Sequence, residues 1–258
     1  VIGQLRNASG IGLVLGLLLL WEASARLGWV ASPNWPPVSA VLAALLRDVM
    51  TGEIPTLVGG TLWRMAAGLF AGGLAGVVVG LGFALLPFVA RLFAPVVELL
   101  RPIPVPAVIP PLVLFLGLDN TMKVTVVALT VFFPVLTNTV QGVRAVEADA
   151  LAMGRTFGIG ALRRVVFIVL PASLPYILAG FRVALALALV VTVVAEMIAG
   201  EQGVGHYLVM MQFAGRAEEI YATVLLLGVL GYALNRAFLL VERRMIHWWF
   251  ALGRQSAA

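Results

Sequence analysis

Apolar residues come in long blocks along this chain, and the charges gather between the blocks. The first block runs from Ile11 to about Gly28, with Glu22 and Arg26 in its last third. A helix that crosses a bilayer needs about 20 mostly apolar residues, so a span is expected over 11–28. Trp21 and Trp29 suit an interfacial belt there. Residues 30 to 58 break the pattern. ASPNWPP holds three prolines and predicts a loop. SAVLAALLRDVM then sets Val41, Leu42, Leu45, Leu46 and Val49 on one helical stripe, with Ser39 as N-cap. That predicts an amphipathic helix over 38–51, lying on the membrane surface or on the protein.

From Met65 to Ala90 there are 26 residues without a charge, and Gly68, Gly72, Gly76 and Gly80 recur every fourth position among them. Such a stripe lets a second helix backbone approach closely. In PVVELLRPIPVPAVIPPLVLFLGL, residues 95 to 118, Pro102, Pro104 and Pro106 alternate and Pro110 and Pro111 follow. Proline removes helix donors and clashes with the preceding turn, so residues 101 to 106 are not expected to be regular helix. The break is either a pore-lining or gating element or a sharp turn at the interface. Asp119, Asn120 and Lys123 predict a polar turn, and Val124 to Val143 a plain span. After a basic, glycine-broken stretch come an apolar run from Pro171 to about Gly200, a polar excursion (201–219) and a last apolar run from Ile220. The tail carries Trp248, Trp249 and basic residues, as at an interface.

These blocks predict an all-α, polytopic membrane protein forming one domain over 1–258. Its expected spans are 11–28, 62–88, 92–118, 122–143, 171–199 and 220–241. Composition sharpens this reading: 62% of residues are hydrophobic and 11% charged, against about 25% charged in soluble domains. The first block lacks a cleavage-site pattern and is not expected to be a signal peptide.

Charge then orients the chain. Sixteen arginines and one lysine outnumber the twelve acidic residues and give a net charge of +5. Their scatter between apolar runs speaks for topology and not for nucleic acid. Six spans put both termini on one side. If that side is the cytoplasm, eleven basic residues lie inside and five outside, with Arg182 left in the membrane, as the positive-inside rule favours. The loop over 144–170 is then cytoplasmic. Its first part, 147–158, has good helix formers and stops at Gly158, and ALRRVVFIVLP starts a second helix that re-enters the membrane. The result is a short helical knob that offers Arg155, Arg163 and Arg164 to a partner.

Charged groups inside a membrane are expensive and suggest function. Arg182 lies ~16 Å along a helix from Pro171, and Glu98 and Arg101 flank the proline break at Pro102 and Pro104. Arg101 and Arg182 either pass an anionic solute, pairing with Glu98 when a gate is shut, or are structural pairs and snorkelling side chains. Glu196 and the loop Gly203-Val204-Gly205 either meet a partner or outer gate, or simply cap a helix. There is no cysteine, His206 and His247 are far apart, and no GxxxxGK[ST] loop occurs. No metal, cofactor or nucleotide is therefore expected on this chain.

The basic segment carries a resemblance. Gly158, nine residues, Ile168, one residue and Leu170-Pro171 match the glycine half of the "EAA" loop of membrane subunits of binding-protein-dependent ABC importers. LPASLPYILAGFRVALALAL, VVAEMIAGEQGVGHYL, RPIPVPAVIPPLVLFLGL and TLWRMAAGLFAGGLAGVVVG resemble the alkanesulfonate, taurine and nitrate permease branch. The resemblance covers about Trp21 to Glu242. In one respect the chain departs: the family's Glu-Ala-Ala falls on Ala152-Met153-Gly154, so the acidic residue is missing.

The resemblance implies a type I ABC importer permease fold in the bacterial inner membrane. It implies a second copy of the permease, two copies of a cytoplasmic ATPase carrying ATP and Mg, and a periplasmic or lipid-anchored substrate-binding protein. The loop helix would dock in a groove of the ATPase and transmit its closure to alternating access. A stand-alone secondary transporter or channel is the alternative. It would need no knob, and no clear internal repeat is visible.

Overall fold

A computed structural model describes residues 2–30 and 32–247, and of residues 2–9 and 11 the backbone alone. Trp248, Trp249 and Arg254 lie outside the described residues. The described chain is helical: α1 (Ile2–Arg26), α2 (Val38–Met50), α3 (Glu53–Leu85), α4 (Pro87–Leu100), α5 (Val105–Leu116), α6 (Asn120–Arg144), α7 (Ala148–Thr156), α8 (Ala161–Arg164), a π turn (Val165–Val169), α9 (Leu170–Ala199), α10 (Val204–Phe213) and α11 (Ala217–Met245). Four rods among the described residues are long and apolar enough to cross a membrane: α3, α6, Ala161–Ala199 and α11. The pair α4 and α5 adds a fifth if counted as one bent span. α1, with 25 residues, stands where the first span is expected.

The core is a three-helix sandwich of α3, α6 and α9, and the glycine stripe explains it. A Cβ on Gly68 would meet Val127 at 2.5 Å, one on Gly76 the Phe132 carbonyl oxygen at 2.9 Å, and one on Gly80 Thr139 at 2.7 Å. At Gly72 it would land on the backbone of Ala128. All four glycines of the stripe thus face α6. Gly142 and Gly180 do the same for the α6–α9 contact, against Ser173 and Tyr176 and against Pro134 and Asn138. Close backbones leave room for small β-branched side chains between them, so Val126, Val127, Val131 and Val135 are buried completely. Thr130, Thr139 and Thr192 are buried too, and each hydroxyl donates to the carbonyl four residues back. No polar atom of theirs is left bare in the apolar core.

Where one span was expected over 92–118, α4 and α5 meet at 97°. They are about 21 and 18 Å long, each short of the ~30 Å hydrocarbon core. The break is narrower than the expected 101–106: α5 already begins at Val105. Pro106 sits in its first turn, where the missing N–H would have had no partner anyway.

The helix expected from Pro171 starts ten residues earlier, at Ala161, and runs unbroken to Ala199. Pro171 is accommodated by the π turn just before it, in which the Leu170 N–H donates to the Val165 carbonyl, five residues back. Widening the turn there relieves the clash of a proline ring with the preceding carbonyls.

At the end of the bundle away from α7, α2 lies on the start of α11, burying Val41 and Ala44 against Ala222. Leu42, Leu46 and Val49 of the expected stripe are exposed and available to lipid. Ser39 is not the N-cap; Pro37 holds that place. The Ser39 N–H instead donates to Glu22 of α1 at 2.9 Å, which sets a carboxylate at the positive end of α2. Trp21 packs edge-on with Tyr221, ring centroids 5.5 Å apart, and donates to the Pro36 carbonyl. The proline loop is thereby pinned to α1 and α11.

Candidate functional site

At one end of the bundle α7 forms a knob. Its C-terminus is a complete left-handed glycine stop. Gly158 has φ +70°, its N–H donates to the Arg155 carbonyl, and the Ile159 N–H donates to that of Gly154. These are the two bonds of a Schellman motif. Gly154 is the buried contact of α7: a Cβ there would meet Ile168 of the π turn at 2.7 Å and Arg164 at 3.3 Å. The third position of the missing Glu-Ala-Ala triplet is therefore where α7 seats on the membrane rod, and a glycine is what fits. Ala152 and Arg155 are exposed, as is Met153 at 57%. Phe157 at 80% and Leu162 at 78% are exposed as well. Exposed large apolar groups on a polar end of a protein mark an interaction surface.

Arg163 is exposed and Arg164 half-buried; Arg155 and Arg164 line a cavity of about 450 Å³ under the knob. Leu170 and Pro171 are half-buried within the rod. Replacing Gly158 by alanine is expected to cost ~1 kcal/mol through its left-handed backbone. Hydrogen exchange should quicken in 148–158 while the melting temperature of the bundle stays put.

The candidate path residues are not brought together. Glu98, Arg101, Pro102 and Pro104 are exposed on α4 and the bend. Among the described residues no ion pair joins Glu98 to Arg101 or Arg182. Arg182 is exposed on α9 and lines a groove of about 750 Å³ between α9 and α11 with Tyr232, Asn235 and Glu242.

Glu196, expected beside a path, a partner or a cap, is fully buried. It is the centre of a clasp at the far end of the bundle. Its Oε1 accepts from Arg64 Nη1 at 2.8 Å, and both oxygens lie within 3.0 Å of the donating Thr61 hydroxyl. Oε2 also accepts from the Gly205 N–H, and Thr61 Oγ1 accepts from the Val204 N–H. Arg64 Nε donates on to Asn120 Oδ1 at 2.6 Å. One carboxylate thus ties α3, α6, α9 and α10 together and satisfies the first N–H groups of α10. Gly203, at φ +122°, leaves the space that the Glu196 carboxylate occupies. Lys123 is not in a free turn but one turn into α6 and buried. Nearby, Tyr207 of α10 donates to Asp48 of α2 at 2.9 Å. Burial, then that carboxylate, pushes the Tyr207 hydroxyl above its ordinary range. Arg216 and Arg47 both pair with the buried Glu219.

Sequence reasoning missed Thr61, Arg64 and Asn120 as a unit. A signal existed: Arg64 and Glu196 are lone opposite charges near the same-side ends of two apolar runs, and buried charges come in pairs. It also missed α10, which lies in a short stretch that reads as polar excursion.

The family model for the binding-protein-dependent transport system inner membrane component matches residues 68–247. An aliphatic sulfonates transport permease of Escherichia coli strain K12 is 28% identical over 92% of this chain and 90% of its own length. A taurine transport system permease of the same organism is 29% identical over 92% and 88%. Among solved structures, a chain of the MetNI methionine ABC transporter, inward-facing, superposes with a TM-score of 0.61 at 17% identity, covering 73% of this chain and 96% of that one. An amino acid ABC transporter with histidines gives 0.64 at 17%, covering 78% and 97%. The fold is that of type I ABC importer permeases.

Proposed function

Because the chain belongs to the family of binding-protein-dependent transport inner-membrane components, we propose that it is the permease subunit of an ATP-driven importer for small sulfonates, taurine among them. Two copies pair around a central path, with both termini and the knob in the cytoplasm. α7 seats in a groove of a separate ATPase, and an external binding protein delivers the solute at the clasp end. ATP and Mg belong to the ATPase; the permease itself performs no chemistry.

The observation that carries this reading is mechanical. α7 bears an exposed apolar face, is stopped sharply by Gly158, and rests through Gly154 on a rod that continues without a break to Ala199. At 39 residues that rod is about 58 Å long, so a push on the knob reaches the clasp as a rigid-body movement. The face of α11 is mostly exposed below Thr223, which leaves it to a second copy and to lipid.

The test is uptake of labelled taurine or ethanesulfonate into proteoliposomes that hold the permease with its ATPase, binding protein supplied outside. Uptake is expected only with ATP inside. Phe157→Asp is expected to lower it about tenfold or more, as for loss of an aromatic anchor from an interface, while leaving the fold intact because Phe157 makes no buried contact. Full uptake by that variant would contradict the docking role, and uptake without ATPase would contradict the importer.

A further inference from the structure

The cavity under the knob carries two cations that nothing in the described chain neutralises. It measures about 450 Å³ and is lined by Arg155 of α7, by Arg164, Val165 and Val169 of the rod, and by Leu85 and Leu86 at the end of α3. None of its lining residues is acidic. Neither Arg155 nor Arg164 makes an ion pair or a side-chain hydrogen bond among the described residues. The two are rooted close together. Arg164 Cδ lies 3.3 Å from the place a Cβ on Gly154 would take, and Gly154 is the chain neighbour of Arg155. Arg164 is half-buried along its stem, while its guanidinium keeps accessible surface. α3 ends at Leu85, α6 at Arg144, and the rod starts at Ala161. The cavity therefore sits at the level where the apolar helices leave the bilayer, and Leu86, 55% exposed, stands at its rim.

We propose that this cavity binds the phosphate of an anionic phospholipid, with Arg155 and Arg164 clamping its oxygens and the glycerol lying on Leu85, Leu86 and Val165. Guanidinium groups take phosphate through paired N–H bonds, and basic pockets at the ends of membrane helices suit anionic headgroups. A carboxylate from a partner protein would match the charge but would leave the apolar wall without an occupant; a lipid fills both. Arg155 belongs to α7 and Arg164 to the rod, so one headgroup bridges the knob and the rod it rests on. Gly154 is the buried contact of α7, and the lipid braces the knob beside it. Arg163, exposed and absent from the lining, has no share in the site. The site asks only that this end of the helices be a bilayer surface, and it stands apart from the importer reading.

Hydrogen exchange of residues 148–158 tests this on the full chain in nanodiscs of phosphatidylcholine, with and without phosphatidylglycerol. Phosphatidylglycerol is expected to slow exchange there about tenfold, as two guanidiniums at an anionic surface allow. Arg155→Gln and Arg164→Gln should each lose most of that slowing, Arg164→Lys should keep part of it, and Arg163→Gln should keep all of it. Melting temperatures in phosphatidylcholine alone are expected to match the wild type, which separates loss of the site from loss of the fold; should a glutamine variant unfold, Arg164→Lys against Arg163→Gln carries the comparison. Equal exchange in the two lipids, or slowing that survives both glutamine substitutions, would overturn the site. Loss of the slowing in Arg163→Gln as well would make it a diffuse surface effect and overturn it too. Inorganic phosphate that slows exchange as much in phosphatidylcholine would make the ligand a free anion and not a lipid. Slowing that needs added ATPase and ignores the lipid would give the two arginines to a protein partner, and the lipid site would fall.

Discussion

Replacing Glu196 by alanine is expected to destabilise the fold by about 3–5 kcal/mol, because it leaves a buried guanidinium uncompensated. Arg64 is 6% exposed and Glu196 is not exposed at all, so water cannot take the place of the lost carboxylate. The loss spreads beyond the pair. The Gly205 N–H loses its acceptor, the Thr61 hydroxyl loses its own, and the loop of Gly203 has nothing to fold over. Thermal unfolding of the purified chain should show the drop. Glu196→Gln keeps the shape and the acceptor oxygen but not the charge, and should fall between wild type and alanine. The double variant Arg64→Met with Glu196→Met removes both charges and is expected to cost less than Glu196→Ala, since apolar replacement of a whole buried pair is often tolerated. A double variant worse than either single one would show that the clasp is held by something other than charge balance.

The second large effect is expected at Gly72. A Cβ there would overlap the Ala128 backbone, which unlike a side-chain tip cannot turn away. Gly72→Val should therefore force α3 from α6 and cost about 1–3 kcal/mol or more as overpacking does. Gly82, on the same helix, has nothing within 4 Å of the place a Cβ would take. Gly82→Ala should be neutral or stabilise by up to about 1 kcal/mol, because glycine is a poor helix interior residue. The contrast between two glycines ten residues apart makes the comparison specific to helix approach. Similar melting temperatures for the two variants would mean that α3 and α6 are not closely packed through the stripe.

Much of the fold was legible because membrane helices are long and their apolar surface is continuous. The four-residue glycine period is geometry written directly in residue types; it predicted a closely packed partner helix, which the structure shows to be α6. Gly158 marked the end of α7 for the same reason: only glycine takes that backbone easily. What sequence hid depends on partners distant along the chain. Ser39 looks like an N-cap, yet Glu22 reaches it from another helix and Pro37 takes the cap. Pro171 looks like a helix start, yet a π turn absorbs it. Arg64 reads as a topogenic charge and Glu196 as a path residue until α3 and α9 are set side by side. Arg101 and Glu98 remain near the bend that the prolines predict, but no contact joins them to Arg182.

The chain has no cysteine, so a single one at Phe157→Cys gives the most direct measurement of the importer account. In membranes holding the assembled complex, that thiol is expected to react with an impermeant maleimide only from the cytoplasmic side and to cross-link to the ATPase subunit, with a yield that changes when nucleotide is added. Labelling from the outer side, or an assembled complex in which position 157 never captures the ATPase, would contradict it.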